Sequence, residues 1–186
     1  MKLKGKEFLA VVATPAIGKS YLADIYKEFV DVDELRLFSK YIIPDNITRE
    51  ELELTKGNRN FEKRENFNEL FYSKLDEVIK QKKILLCAPH QEIKEYLFKN
   101  KIPYLFVYPK KNLKNHIKER MLTRQNNSKF INENDELFYF YYMSNKHEPY
   151  AVVKYKIKKN EYLLDVLKKA GLDFNLLTRR QDNKEI

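Results

Sequence analysis

The segment that most constrains the fold is Ala13–Ser20 (ATPAIGKS), which joins an apolar run to an amphipathic one. Residues 7–13 (EFLAVVA) form a short apolar run that ends in a loop, a pattern typical of a buried strand. Residues 19–27 place three apolar side chains at helical spacing. A buried strand, a tight turn and a helix in immediate succession are typical of an α/β domain.

Further short apolar runs alternate with segments of helical periodicity along the chain. The predicted strands are 29–32, 84–88, 104–107 and 151–157, and the predicted helices are 66–81, 91–99, 113–124, 133–145 and 161–170. This alternation predicts a three-layer α/β domain with a roughly five-stranded parallel sheet. Because ligands of such sheets bind beyond the carboxyl ends of the strands, four loops matter most. They are 13–20, 31–36, 88–91 and 108–112.

The chain of 186 residues is predicted to form one domain over residues 1–177, followed by a polar tail over 178–186. Residues 44–83 are a charged excursion, which we expect to be a helical insert that builds the acceptor pocket. Its first helix is indicated by a capping box at Thr48–Glu51 (TREE) and by Gly57, which would end it.

The charge balance favours anionic ligands. The chain carries 36 Lys and Arg against 27 Asp and Glu, a formal charge of +9, which attracts nucleotides and nucleic acid. A second interpretation stays open, since the richness in Lys, Asn, Ile and Tyr is also what an AT-rich genome encodes. The single cysteine, Cys87, lies in an apolar run and favours a reducing cytoplasm. No run approaches the roughly 20 apolar residues of a membrane span, so we expect no membrane partner.

The segment Ala13–Ser20 matches most of a phosphate-binding loop. The pattern is G-x-x-x-x-G-K-[ST] between a strand and a helix, and Gly18, Lys19 and Ser20 occupy its last three defined positions. Loop N–H groups would cradle phosphate oxygens, Lys19 would reach the β- and γ-phosphates, and the Ser20 hydroxyl would ligate Mg²⁺. The residues predicted to bind ATP are Thr14, Pro15, Ala16, Ile17, Gly18, Lys19, Ser20 and Tyr21.

Two departures from the pattern bear on this prediction. Ala13 replaces the first glycine, and if that position needs a positive φ the alanine costs about 1 kcal/mol. The third predicted strand has no terminal Asp, so Mg²⁺ would depend on Ser20, on Asp31 or Asp33, and on water. A chance Gly-Lys-Ser in an ordinary turn is the alternative, against which the flanking strand, the flanking helix and Pro15 argue.

The second predicted strand leads into Val30–Arg36 (VDVDELR). With the phosphate loop before it, this order resembles small P-loop kinases of nucleosides, nucleotides and polynucleotide ends. In the polynucleotide kinase group an Asp is often followed three residues later by an Arg, as Asp33 and Arg36 are here. The resemblance implies that Asp33 accepts a proton from the attacking hydroxyl or holds Mg²⁺ through water, and that Arg36 grips a substrate phosphate. A helix N-cap is the alternative interpretation of Asp33, against which its place one element after the loop argues, and Asp31 competes for its role.

The helix predicted over 113–124 carries Arg120 and Arg124 four residues apart, on one face that borders its apolar stripe. In the same kinase superfamily a lid segment with R-x-x-x-R spacing closes over ATP and stabilises the transferring phosphoryl group. The resemblance implies that role for both arginines, within a lid region over 113–130. A solvated basic helix face is the alternative.

Weaker signals complete the set of candidate site residues. His90 follows the third predicted strand, where it would contact substrate or merely start the next helix. Arg64, with Arg59 and Lys63, offers contacts to an acceptor phosphate, or else belongs to a solvated charged face. The aromatic run Phe138–Tyr142 (FYFYY) is predicted to be core, because apolar positions on a helix are far more often buried than used to stack bases.

From residue 8 to about 167 the layout resembles short predicted kinases encoded by bacteriophages. The resemblance implies an ATP- and Mg²⁺-dependent phosphotransferase, located in the host cytoplasm, with a nucleotide or nucleoside-type acceptor such as a deoxynucleoside monophosphate. One alternative is a kinase of a hydroxyl on DNA or RNA, at a strand end or a hydroxymethylated base. The other is a nucleotide-binding regulatory protein with little catalysis. The oligomeric state is left open.

Overall fold

The computed structural model describes residues 2–3, 6–32, 39–41, 48, 61–124, 126 and 128–180. The strands within this part are β1 (Lys2–Leu3), β2 (Lys6–Glu7), β3 (Ala10–Ala13), β4 (Phe29–Asp31), β5 (Ser39–Tyr41), β6 (Phe61–Lys63), β7 (Ile84–Cys87), β8 (Tyr104–Pro109) and β9 (Val153–Ile157). The α-helices are α1 (Lys19–Ile25), α2 (Phe67–Lys80), α3 (Gln91–Lys99), α4 (Lys114–Thr123), α5 (Ser128–Glu136), α6 (Phe138–Lys146) and α7 (Leu163–Lys169). Short 3₁₀ turns span Lys111–Leu113 and Phe174–Leu176. No helix in these ranges is long and apolar enough to cross a lipid bilayer.

A five-stranded sheet with the order β4-β7-β3-β8-β9 forms the centre of the fold. All of its pairings are parallel; Val11 of β3, for example, lies opposite Leu86 of β7 and Leu105 of β8. The side chains of β3, β7 and β8 are buried throughout, as expected of parallel strands covered on both faces. The predicted α/β fold, a three-layer arrangement like that of P-loop kinases, is therefore confirmed.

Each face of the sheet packs against its own set of helices. Since successive strand residues point to opposite faces, Val11 joins a core that includes Leu22 of α1 and Leu167 of α7. Val12 joins the other core, which includes Phe71 of α2. Each fully buried side chain of this size contributes roughly 1.5–3 kcal/mol. The central position of β3 therefore places the loop after it at the middle of the carboxyl edge of the sheet.

The first predicted strand is divided in the structure. Glu7 belongs to β2, which pairs antiparallel with β1, and the sheet strand begins at Ala10. Leu9 lies between the two, with its N–H donating to Pro103 (2.9 Å) and its carbonyl accepting from the N–H of Leu85 (3.0 Å). The apolar run predicted as one strand therefore belongs to two sheets, the β1–β2 pair and the five-stranded sheet.

The charged excursion over 44–83 differs from a purely helical insert. Its described part contains α2, as predicted, but also β6, which pairs antiparallel with β5 from Ser39↔Lys63 to Tyr41↔Phe61. The backbone hydrogen bonds of residues 61–63 are made to a distant strand, which the local sequence pattern does not indicate. The capping-box helix and Gly57 lie outside the described residues, apart from Thr48, which is exposed.

The single helix predicted over 133–145 is two helices, α5 and α6. They meet at Leu137, which has φ −81° and ψ −3° and is exposed. The change of direction turns Ile131 and Phe138, one from each helix, into the same core. Packing of both helices against the domain therefore overrides the continuous helical pattern.

Candidate active site

The loop between β3 and α1 contains two residues with left-handed backbone. Ala16 has φ 59° and Gly18 has φ 100°. Ala13, which replaces the first glycine of the pattern, is instead part of the extended strand β3. The conformational cost predicted for Ala13 therefore does not arise, while Ala16 carries a cost of about 1–2 kcal/mol. Strain at a non-glycine residue persists only where the surrounding structure enforces it.

Two neighbouring elements hold the loop in this shape. On one side the N–H of Thr14 donates to the carbonyl of Val107 in β8 (3.3 Å). On the other, the N–H of Leu163 at the start of α7 donates to the carbonyl of Ile17 (2.7 Å), whose side chain is wholly buried. A Cβ added at Gly18 would lie 3.7 Å from the side chain of Tyr162. The loop is thus fixed between the sheet and α7.

Lys19 is the first residue of α1, and its side chain turns back over the loop. It is 7% exposed, and Nζ donates to the carbonyls of Ala13 (3.1 Å) and Thr14 (3.5 Å). Carbonyl dipoles are weaker partners for a buried ammonium than an anion is. A phosphate group in the loop would place an anion beside this ammonium.

Ser20 and Asp31 form an oxygen-rich pair beside Lys19. The Ser20 hydroxyl donates to Oδ2 of Asp31 at 3.1 Å, and Asp31, the last residue of β4, is 2% exposed. A hydroxyl and a carboxylate are ligands that suit Mg²⁺. The structure brings Asp31 to Ser20. The other candidate acid, Asp33, lies outside the described residues, as does Arg36.

In the described part of the chain, no group of three or more His, Cys, Asp or Glu side chains is arranged to hold a metal ion. A Mg²⁺ ion at Ser20 and Asp31 would therefore take its other ligands from phosphate oxygens and water, which is how this ion is usually held. The oxygen pair fits such a partial site.

Arg120 of α4 is fixed beside the loop rather than on a solvated face. It is 7% exposed, and Nη2 donates to the carbonyls of Lys159 (2.8 Å) and Glu161 (3.0 Å). The guanidinium carbon lies 4.0 Å from the centre of the Tyr162 ring. Burial lowers the pKa of Arg120, and Tyr162 and Asp165 act in the opposite direction. The solvated-face alternative therefore does not hold for Arg120.

The guanidinium of Arg120 is only partly used by these contacts. Nε and Nη1 are buried and have no hydrogen-bond partner among the described residues. Arg124, one turn further along α4, is exposed. The two arginines of the predicted lid thus occupy different environments, and only Arg120 is joined through Tyr162 to the phosphate loop.

A second set of unpaired polar atoms lies on the other side of α4. Oγ1 of Thr14 and both amide atoms of Asn145 are buried without a partner in the described ranges. Thr14 is 6% exposed and Asn145 of α6 is 0% exposed, and both line a narrow cleft of about 20 Å³. An unpaired buried group costs about 1–3 kcal/mol. Sequence reasoning missed Asn145, since a single amide within an aromatic helix gives no signal of burial.

A larger and more open cleft, of about 440 Å³, lies beyond the carboxyl ends of β8 and β9. Three lysines line it, Lys110, Lys158 and Lys159, together with His116, whose Nδ1 is 3.5 Å from Oε2 of Glu119. The lysines outnumber the one carboxylate, so the cleft attracts anions. It lies at the same edge of the sheet as the phosphate loop.

Four further predicted site residues are His90, Arg64, Pro15 and Tyr21. His90 is half-buried and begins α3, its carbonyl accepting from the N–H of Lys94 (3.2 Å), so its backbone starts a helix. Arg64 is half-buried and directly follows β6. In the loop, Pro15 is half-buried and Tyr21 is 55% exposed.

The prediction that the whole aromatic run of α6 is core is wrong for two of its residues. Phe138 is buried and Tyr141 and Tyr142 are half-buried, but Tyr139 is 46% exposed and Phe140 69% exposed. A helix can turn only part of its circumference toward the core, so consecutive aromatic residues cannot all be covered by it. The outer rings therefore form an exposed aromatic face.

Comparisons of the chain with protein-family models, with curated protein sequences and with solved structures each found no match. The site itself combines a turned loop, a buried lysine over it and a serine–aspartate pair beside it. Its chemistry, and not a relative, is the basis on which a function is assigned.

Proposed function

We propose that the chain is an ATP-dependent phosphotransferase that moves the γ-phosphoryl group to a nucleotide or nucleoside-type acceptor. The observation that carries the proposal is the position of Lys19. Its ammonium is buried over the turned loop, held by the carbonyls of Ala13 (3.1 Å) and Thr14 (3.5 Å). A buried cation above a loop of backbone N–H groups is suited to polyphosphate.

The described residues have distinct tasks in such a transfer. Lys19 would neutralise charge on the β- and γ-phosphates, and the loop would fix their positions. The Ser20–Asp31 pair would hold Mg²⁺, which supplies charge neutralisation between the phosphates when bound. Catalysis would thus consist mainly of positioning and electrostatic stabilisation.

In the transfer the acceptor hydroxyl oxygen forms a bond to the γ-phosphorus, and the bond from that phosphorus to the β–γ bridging oxygen breaks. ADP leaves with the electron pair of the broken bond. The proton of the hydroxyl passes to a carboxylate base, for which Asp33 remains the candidate from the sequence. Asp31 is committed to Ser20 by the 3.1 Å hydrogen bond.

Tyr162 offers a surface for the base of the nucleotide. Its ring is 48% exposed, abuts Gly18 and has the guanidinium of Arg120 on its face. Aromatic rings and guanidinium planes stack readily with nucleobases. We therefore expect the nucleoside half of ATP to extend from the loop toward residues 158–162.

The test is phosphoryl transfer from labelled ATP with Mg²⁺ to pooled deoxynucleoside monophosphates, deoxynucleosides and single- and double-stranded DNA. Lys19→Ala and Asp31→Asn are run beside the wild type, with Lys27→Ala as the matched control because Lys27 is an exposed lysine just beyond α1. We expect label on one acceptor class with the wild type and Lys27→Ala, and little with the other two variants.

One contrary outcome is that no acceptor is labelled, while the wild type still binds ATP and Lys19→Ala does not. This outcome would indicate a nucleotide-binding regulatory protein instead of an enzyme. ATP binding that is equal in wild type and Lys19→Ala would contradict both functions. Label on an acceptor that survives Lys19→Ala would place the transfer elsewhere in the molecule.

A second candidate, a kinase whose acceptor is part of a nucleic-acid strand, is favoured by the exposed face of α6. The Tyr139 ring has Lys111 and Lys114 within 5.8 Å and 5.2 Å of its centre, and Phe140 is exposed beside it. Exposed rings among lysines suit a single strand, whose bases stack and whose phosphates pair with cations. Label on DNA, with binding that weakens as salt rises and in Phe140→Ser, would select this candidate.

A further inference from the structure

Among the described polar side chains that lack a hydrogen-bond partner, Asn145 is the most completely buried. It lies in the last turn of α6 and is 0% exposed, and neither its carbonyl oxygen nor its amide nitrogen has a partner among the described residues. Buried amides in native proteins are almost always paired, with the chain, with water or with a ligand. The described chain does not provide that partner.

The amide shares a cleft with the phosphate loop. Thr14, whose buried hydroxyl likewise has no partner among the residues that the structure describes, lines the same cleft together with Pro15. The rest of the wall is mainly apolar and aromatic and includes Tyr141 and Tyr142. An apolar cleft with a few convergent polar groups is the usual form of a small-molecule site.

The position of the cleft relates it to the transferred group. Thr14 and Pro15 belong to the loop and line the cleft, and the carbonyl of Thr14 accepts from Nζ of Lys19 at 3.5 Å, so the cleft adjoins the part of the loop that Lys19 covers. An acceptor has to present its hydroxyl oxygen about 3–3.5 Å from the phosphorus that it attacks. A molecule held by Thr14 and Asn145 would therefore lie beside the loop that is proposed to hold the phosphates.

We propose that this cleft receives the acceptor, and that Asn145 recognises the edge of a nucleobase. The inference rests on the proposed function for the identity of the reaction, but the occupant of the cleft is argued from its own chemistry. A primary amide presents one acceptor and two donor hydrogens side by side, which matches the donor–acceptor pairs on the edge of a base. The Thr14 hydroxyl adds a contact beside the phosphate loop.

The cleft has a volume of about 20 Å³, which is room for about one water molecule. Tyr141 and Tyr142 line the cleft and are half-buried, so the proposal requires that a base displace these rings as it enters. A water that pairs with Asn145 in the free protein would then give way to the base. This assigns acceptor recognition to α6, rather than to the 44–83 excursion in which the sequence predicted it.

A photocrosslinking experiment tests the occupant without requiring catalysis. The wild-type protein is irradiated with 5-iodo-2′-deoxyuridine 5′-monophosphate, or with a single-stranded oligonucleotide that carries one 5-iodo-2′-deoxyuridine, and digested with trypsin. The peptide 130–146 contains no internal Lys or Arg and spans α6. We expect the adduct in this peptide, competed away by the unmodified nucleotide; which probe reacts tells a free nucleotide from a base in a strand.

An adduct in peptides from 61–83, or no adduct with either probe, would overturn the proposal. Asn145→Ala and the control Asn100→Ala are treated in the same way. Asn100 is an exposed amide at the end of α3, bonded to the carbonyl of Tyr96. We expect the adduct to decrease in Asn145→Ala and to persist in Asn100→Ala.

Steady-state kinetics with the labelled acceptor provide the second test. Losing the amide should raise the acceptor KM about tenfold or more, since two hydrogen bonds are removed, and leave the ATP KM within about twofold. Asn145→Asp keeps the shape of the side chain, but an ionised carboxylate only accepts hydrogen bonds. The variant should therefore disfavour acceptors whose base presents a carbonyl to residue 145. It also serves if Asn145→Ala fails to fold.

The outcomes separate the two proposals. If the wild type labels no acceptor but the crosslink maps to α6, the proposed transfer fails and the nucleobase site stands. If the wild type labels an acceptor and neither Asn145 variant changes its KM or its base preference, the recognition role fails alone. A variant that loses stability without a change in acceptor KM would identify the cleft as a site for structural water, and would overturn the proposal.

Discussion

Two buried polar clusters lie at opposite ends of the strands of the central sheet, one at the amino ends and one at the carboxyl ends. At the edge where β8 begins, Lys94 and Glu148 form a 2.9 Å salt bridge, and the Tyr104 hydroxyl donates to the same carboxylate at 2.7 Å. At the edge where β3 ends, Thr14 and Asn145 are buried to a similar degree, yet their side-chain atoms have no partner in the described part of the chain.

The difference between the clusters concerns what completes them. Both carry the desolvation cost of burial, but in the Lys94–Glu148–Tyr104 cluster each side chain receives an opposite charge or a hydrogen bond from another. The cluster at the loop has no such partners within the described ranges, and it lies at the same end of the sheet as Lys19. We interpret the first as part of the stability of the fold and the second as part of a binding site.

The largest effect is expected for Glu148→Ala. Both Lys94 and the hydroxyl of Tyr104 would lose their partner in the interior, and breaking a buried pair in this way costs about 3–5 kcal/mol. The free energy of unfolding, from chemical denaturation, measures it. Glu119→Ala removes an exposed pairing with His116 and should change stability by about 0.5 kcal/mol or less. A loss below about 1 kcal/mol in Glu148→Ala would show that the closed cluster is not a structural element.

Lys19→Ala should have the next largest effect, on activity instead of stability. Removing one preorganised charge at the transferring group typically lowers the rate about 10²–10³-fold, which corresponds to about 2.7–4 kcal/mol. The free energy of unfolding should change by about 1.5 kcal/mol or less, since the ammonium now contacts carbonyls. Initial rates and denaturation curves for the same preparation separate the two quantities. Equal losses of activity and stability would make Lys19 a structural lysine.

Tyr104→Phe should cost about 1.5–3 kcal/mol, because it deletes a hydroxyl that donates to a buried carboxylate. Burial raises the pKa of Tyr104, so the phenol remains a donor, and its contribution should stay constant below about pH 9 and be lost only as the pH rises further. Denaturation at neutral and mildly alkaline pH measures this. Tyr150→Phe, at an exposed ring, is the control. A difference that falls between neutral pH and about pH 9 would contradict the assignment of Tyr104 as the donor.

The sheet was predictable from the sequence because buried parallel strands are short apolar runs, and each such run became a strand. The turn between β3 and α1 was predictable for a similar reason, since the motif Gly18, Lys19 and Ser20 is local in sequence; its binding of phosphate stays a prediction. The β5–β6 pair was not, because Ser39 meets Lys63 across a long stretch of chain. Local preference contains no information on a pairing partner so far away.

The residues around the loop were less predictable than the loop itself. Whether Asp31 or Asp33 meets Ser20 depends on where β4 ends relative to α1, with β7 between β4 and β3. Asn145 is buried because α6 docks beside the loop, and Phe140 is exposed for the same reason. The rotation of a docked helix is a property of the tertiary structure, so an aromatic run alone does not show which of its faces is covered.

Thr14→Val is expected to have the smallest effect, and it gives the sharpest comparison with Tyr104→Phe. Each change deletes one buried hydroxyl with little change of shape, but the Thr14 hydroxyl has no partner among the described residues, whereas that of Tyr104 has one. We therefore expect Thr14→Val to leave the free energy of unfolding unchanged or to raise it by up to about 1 kcal/mol. Denaturation of the two variants side by side measures the difference. If Thr14→Val costs as much as Tyr104→Phe, its hydroxyl is held by a structural water and the loop cluster is closed as well. If the two diverge as expected, the buried hydroxyl at the loop contributes nothing to folding, and a ligand beside Lys19 is the reason to keep it there.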